Sequence, residues 1–261
     1  MSDVDPLQGA RRALLDHLPK DLILARYQVA GGQELTSGKF ANPESSAALV
    51  ANAFGLFADR PDRLILPGER MASGAATRVE LEVQMRFPWS GGYHPWLDVA
   101  VESATDLIGI ESKRYEPFRD RKSAVFSPAY TRAVWGEAMA PFEAMRDELT
   151  GGRTFRFLDA AQLVKHAFGL RTEAQRLGRR PTLIYLYAEP QAYPDGRLVS
   201  QEDVAAHRLE LGDFTTAVAT TVAEVHFCSC SYADLLATWS AQPDLRDHAA
   251  AIAGRFDVGA Q

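Results

Sequence analysis

Apolar positions fall at helical spacing near the start of the chain, alternate strictly in the middle, and return to helical spacing towards the end. Residues 7–18 place Leu7, Ala10, Leu14, Leu15 and Leu18 on one stripe, a helix that Pro19 ends. A short element is expected over 22–29, and a loop over 36–43. Residues 44–58 read as a helix with Ala47, Ala48, Val50, Ala51, Phe54 and Phe57 on its apolar side and Gly55 as a weak point. Over 78–87, Val79, Leu81, Val83 and Met85 alternate with Glu80, Glu82, Gln84 and Arg86, the pattern of a half-buried strand.

After a Gly-rich connection come Pro95-Trp96-Leu97-Asp98-Val99-Ala100-Val101-Glu102 and Leu107-Ile108-Gly109-Ile110-Glu111-Ser112-Lys113. Joined by Ser103-Ala104-Thr105-Asp106, they form an antiparallel hairpin whose register sets Asp98 opposite Glu111, Ala100 opposite Gly109 and Val99 opposite Ile110. One face is then β-branched and apolar, and the other carries Asp98, Glu111 and Lys113. Only the small Ala100 and Gly109 lie between them, so that face has room for a ligand.

Beyond the hairpin, 115–130 reads as loop, and helices are expected over 130–149 and 159–170 with Gly151-Gly152 between them. Thr182 to Ala188 is an apolar strand suited to a central position, with Tyr185 and Tyr187 on one face as core packing. Helices over about 200–209 and 213–223, a strand over 224–230 and one or two helices over 231–254 complete the chain. No repeat or linker divides it, so one domain over 1–261 is expected, with a core near 36–190 and an elaboration over 191–254.

Asp98, Glu111 and Lys113 together suggest a divalent-metal site for phosphodiester hydrolysis. Mg²⁺ prefers carboxylate, carbonyl and water oxygens, so Asp98, Glu111 and the main-chain carbonyl of Ser112 are candidate ligands, with Mn²⁺ a possible substitute. Lys113 would orient or activate the attacking water, or stabilise charge on the phosphate. Glu82 could reach the same metal if its strand neighbours that of Asp98.

These segments resemble the PD-(D/E)XK nuclease superfamily, whose sheet carries an Asp on one core strand and a Glu-x-Lys on the next. Pro95-Trp96-Leu97-Asp98 departs from its Pro-Asp dipeptide by two inserted residues. The frame is also similar to prokaryotic restriction-endonuclease-like proteins through Asn42-Pro43-Glu44-Ser45-Ser46, His94-Pro95-Trp96-Leu97-Asp98 and Gln162-Leu163-Val164-Lys165-His166. The resemblance implies an α/β fold: a central mixed four-stranded sheet flanked by helices in the order α-β-β-β-α-β, with an additional C-terminal strand and helices. It further implies a Mg²⁺-dependent endonuclease acting on nucleic acid, most readily DNA, with a homodimer possible. Glu44 would face the site to hold a water or second metal, and Gln162 would contact phosphate or water. Two other classes stay open: a catalytically silent nuclease fold serving as a binding module, and a metal-dependent hydrolase of other phosphate esters.

Composition adjusts this picture modestly. With 46% hydrophobic and 24% charged residues the sequence is that of an ordinary globular protein. A net charge of −6 argues against a non-specific nucleic-acid coat. Two local basic patches stand out, Lys113-Arg114 with Arg119-Asp120-Arg121-Lys122, and Arg171 through Arg180. No secretory leader or membrane-length apolar run is read, and Cys228 and Cys230 are too close for a disulfide within a strand, so a cytoplasmic setting is expected. His226 shares a strand face with both cysteines, but no fourth zinc ligand is evident and structural strand residues are the better reading. Phosphate-loop, dinucleotide and nucleophile-elbow motifs are absent.

Overall fold

A computed structural model describes residues 5–31, 33–68, 74–120, 122–220 and 223–259. Its centre is a mixed sheet of five strands: β1 (Arg78–Gln84), β2 (Trp96–Glu102), β3 (Asp106–Lys113), β4 (Arg180–Tyr187) and β5 (His226–Ser231). They lie side by side in chain order. β1, β2 and β3 form an antiparallel meander, and β4 and β5 then add in parallel. The strand expected as a C-terminal addition therefore extends the same sheet.

Helices cover both faces. On one side lie α1 (Pro6–Ala13), α2 (Lys20–Val29), α3 (Ser46–Phe54), α8 (Tyr232–Ser240) and α9 (Arg246–Arg255). They pack on Val79, Leu81, Val99, Val101, Ile108, Ile110, Ile184 and Leu186. On the other lie α5 (Ala140–Thr150), α6 (Ala160–Leu177) and α7 (Gln201–Val218), against Leu97, Leu107, Leu183, Tyr185 and Phe227. This two-sided cover explains why β3 and β4 read as nearly unbroken apolar runs. A short helix α4 (Glu116–Arg119) follows β3 directly, within a stretch expected to be loop.

Several boundaries move for local reasons. α1 stops at Ala13, yet Leu14 and Leu18 beyond it stay buried. The helix expected over 44–58 is α3 with a 3₁₀ turn at Gly55–Phe57, and a Cβ on Gly55 would collide with Ile23 of α2. Over 130–149 the regular helix begins only at Ala140, after Gly136 at φ +84° and a 3₁₀ turn at Glu137–Met139. α6 runs on to Leu177 and ends at Gly178 in the left-handed region. The two helices expected over 200–223 are one, α7, and residues 221 and 222 lie outside the described set.

Candidate active site

Strands β2 and β3 pair in the expected register: Glu102 with Leu107, Val101 with Ile108, Ala100 with Gly109 and Val99 with Ile110. The ladder stops there. One step further the strands splay, and Asp98 Oδ2 accepts the main-chain N–H of Ser112 at 2.6 Å. On the opposite side of β2, Leu81 pairs with Val99 and Val83 with Leu97, but no ladder pair joins Glu82 to Asp98. Glu82 is the one non-glycine residue with positive φ among the described residues, at +52°. This break switches the face of the strand: Val79 and Leu81 pack on the α3 side, Val83 and Met85 on the α6 side. Glu82 thus lies on the strand next to that of Asp98, at its distorted point.

Glu111 is buried and faces two nitrogen groups. Its Oε1 accepts from Lys113 Nζ, and its Oε2 lies 3.2 Å from His166 Nε2 on α6. Burial and the nearby Lys113 push the imidazole down to about 3, so His166 is neutral and this contact is not an ion pair. The His166 Nδ1 is buried with no hydrogen-bond partner among the described residues. His166 is 2% exposed and sits on the site.

The carboxylates crowd one another. Burial and then Asp98 and Glu34 push Glu82 up to about 8. Burial and Glu111 raise Asp98 well above the usual carboxylate range, and burial also raises Glu111. Burial alone would lower the Lys113 ammonium, but the carboxylates of Glu111, Asp98 and Glu116 outweigh it and hold the pKa above normal. The carboxylates of Glu82, Asp98, Glu111 and Glu116 thus share the Lys113 cation.

Gln162 lines a cavity of about 250 Å³ with Lys113, Glu116, Lys122, Asp159 and Tyr185. Tyr185 accordingly borders the site as well as the core. Glu44 does not join the cluster. It precedes α3, whose N-cap is Ser45, and pairs with Arg119. The acidic side chain supplied from this region is instead Glu116. Its Oε1 accepts from Ser46 Oγ at 2.5 Å and its Oε2 from the Arg114 N–H at 2.8 Å. Asp159, which caps α6 through the Gln162 N–H at 2.9 Å, is the other acidic neighbour that sequence reading missed. Its signal was an Asp before an apolar-periodic run, visible as a cap but not as a site residue. Ser112 is held from behind, with its Oγ 2.7 Å from the Tyr232 hydroxyl.

One expectation fails on packing. The space expected above Ala100 and Gly109 is filled: a Cβ on Gly109 would strike Leu97 and Leu170 of α6. The small residues admit a helix, and the open volume lies beyond Glu111. Arg114 of the first basic patch is packed rather than free. It is 4% exposed, lies between the rings of Tyr115 and Phe256, and donates to the Pro43 carbonyl at 2.6 Å. In the second basic patch, Arg171 pairs with Glu224, Arg176 with Glu173 and Arg180 with Asp106, so these arginines mainly tie the fold together. Arg121 of the first patch lies outside the described residues. His94 Nδ1 accepts the Phe87 N–H at 3.1 Å, a loop-holding role.

A protein-family model described as Restriction Endonuclease associating with ARP matches residues 16–256. The chain belongs to this family. No curated protein and no solved structure matches. The match of this restriction-endonuclease family runs from before α2 through α9, so it takes in all five strands and the whole carboxylate cluster.

The donor set of this family member suits a hard divalent cation only in part. Among the described residues, no three carboxylate, imidazole or thiol side chains gather as a metal cage. Asp98, Glu111 and a main-chain oxygen on the same strand do not require one. The crowding of Glu82, Asp98 and Glu111 is the direct argument for fit, because bound positive charge would relieve it. His226, Cys228 and Cys230 form no such group and belong to β5, with the Cys230 thiol pushed up to about 12 by burial. No helix among the described residues is long and apolar enough to cross a membrane.

Proposed function

We propose that this protein is a metal-dependent phosphodiester hydrolase, a DNA endonuclease of restriction-endonuclease type. The observation that carries this reading is the buried Asp98–Glu111–Lys113 group at the splayed end of a hairpin, beside a polar cavity. Asp98, Glu111 and the Ser112 carbonyl would hold Mg²⁺, or Mn²⁺ in its place, with Glu82 reaching it directly or through water. The ion would supply Lewis acidity towards the phosphate and lower the pKa of a bound water.

The remaining chemistry belongs to the chain. Lys113 is held as an ammonium, so it acts as a donor: it orients the water and offers charge to a phosphate oxygen. Asp98 is fixed by the Ser112 N–H, which leaves its other oxygen for a ligand. Neutral His166 closes the inner side of Glu111 without adding charge. Gln162, across the cavity from Lys113, would hold a phosphate oxygen or the water. Double-strand cutting would use two copies of the chain, one site for each strand.

A second reading is a silent nuclease fold that serves as a binding module. The family description, which names association with ARP, and the net charge of −6 favour it. Plasmid cleavage by purified protein in Mg²⁺, Mn²⁺ or EDTA, with Lys113→Ala alongside, separates the two. Metal-dependent nicking lost in the variant supports the enzyme. Folded wild type that never cuts would sink that reading.

A further inference from the structure

Lys122 borders three hollows at once: the site cavity beside Lys113 and two that open outward over the segment before α6. The larger outer hollow, about 540 Å³, is lined by Arg119, Lys122, Thr154, Phe155 and Arg156. Arg153 lines the other. Glu116, Asp120 and Asp159 line the cavity beside Lys113, and the path turns basic in the larger outer hollow, although the chain as a whole is acidic.

The wall of this path is built rather than incidental. Glu210 on α7 accepts the main-chain N–H groups of Arg156, Phe157 and Leu158 at 2.7, 2.7 and 2.9 Å. Three donors on one carboxylate hold the loop in a single conformation. Phe155 and Phe157 turn inward, and their rings lie 4.9 and 5.2 Å from the guanidinium carbons of Arg153 and Arg156. Both arginines are thus stiffened at their stems; Arg153 also pairs with Glu148, while Arg156 is exposed and forms no ion pair among the described residues. Lys122 spends its ammonium on the Glu116 main-chain oxygen and likewise pairs with no carboxylate. Arg119 pairs with Glu44 and Asp120, and Arg153 with Glu148, so Arg156 is the uncommitted charge of the groove; in a second basic hollow, between α1, α2 and α9, Arg11 and Lys20 are likewise committed to Asp21 and Asp16.

We propose that the Arg119–Lys122–Arg153–Arg156 groove is the track along which the phosphates of a DNA strand run to Lys113. This deepens the nuclease reading above and rests on it for the end of the track. A rigid row of cations spaced along a cleft suits a repeating anion, and an aromatic-backed guanidinium meets phosphate with little loss of side-chain freedom.

The test is fluorescence anisotropy of a short labelled duplex across a salt series in EDTA. Arg156→Ala is expected to weaken binding about three- to tenfold and to reduce the slope of log affinity against log salt by about one. Arg12→Ala, in the other basic hollow, should change neither. Glu210→Gln should also weaken binding although it removes a negative charge, because the loop loses its clamp; thermal melts report whether each variant is folded. The track is overturned if wild type binds no DNA, if Arg156→Ala binds like wild type, or if Arg12→Ala is equally impaired. Cleavage in Mg²⁺ is read separately. Cutting that is indifferent to Arg156 removes the track and leaves the nuclease standing; Arg156-dependent binding without cutting does the reverse.

Discussion

Glu82→Gln should stabilise the metal-free protein while impairing its reaction. The substitution keeps the shape of the side chain and removes one of three crowded charges. Glu82 is pushed from 4.5 to about 8, chiefly by burial and then by Asp98. One pKa unit corresponds to about 1.4 kcal/mol, so the shift costs the fold at most about 5 kcal/mol above pH 8, where Glu82 is ionised, and about 3 kcal/mol at pH 7, where the native group takes up a proton. Proton uptake at Asp98 or Glu111 provides part of the same relief, so the expected gain at pH 7 is about 1–3 kcal/mol, or roughly 2–10 °C in Tm. The sign follows from linkage. Between the unfolded value and about 8, the native state binds more protons than the unfolded chain, so wild-type stability falls as pH rises through that window. Calorimetry in EDTA from pH 5 to 9 reads this directly: wild type should decline steeply and Glu82→Gln less so. Mg²⁺ should then stabilise wild type more than the variant. A variant that melts lower than wild type at pH 8 in EDTA, or two parallel pH profiles, would refute the crowding argument and the metal fit drawn from it.

Lys113→Ala should lower cleavage by about 10²–10⁴-fold and also destabilise the protein in EDTA, since the carboxylates lose their shared cation; a plasmid assay and a melt check both. Gly109→Ala should cost about 1–3 kcal/mol in chemical denaturation, because the new methyl meets Leu97 and Leu170. Arg114→Ala should cost about 2–4 kcal/mol, as it strips a buried guanidinium from the Pro43 carbonyl and two aromatic rings while leaving metal-dependent turnover measurable. The cleavage rate should show no histidine inflection between pH 6 and 7 from His166, whose imidazole stays neutral down to about 3; a His166→Gln variant that shifts the profile there would contradict it.

The hairpin was legible because its information is local. Alternation with period two admits one register in which Val99, Val101, Ile108 and Ile110 share a face, and that register places Asp98 near Glu111 and Lys113. The family resemblance added Gln162, which the fold brings to the same cavity. What lies above each strand face was not legible. Ala100 and Gly109 look like room for a ligand until α6 covers them, and that same packing buries His166 beside Glu111. Glu44 and Glu116 illustrate the same limit. Both are acidic residues near helix starts, and only the docking of α4 beside α3 decides that Glu116 reaches the site while Glu44 meets Arg119. Spacing along a chain sets which residues share a face. Which element covers that face, and so which charges are buried together, depends on contacts between residues distant in sequence, and only the tertiary structure decides those.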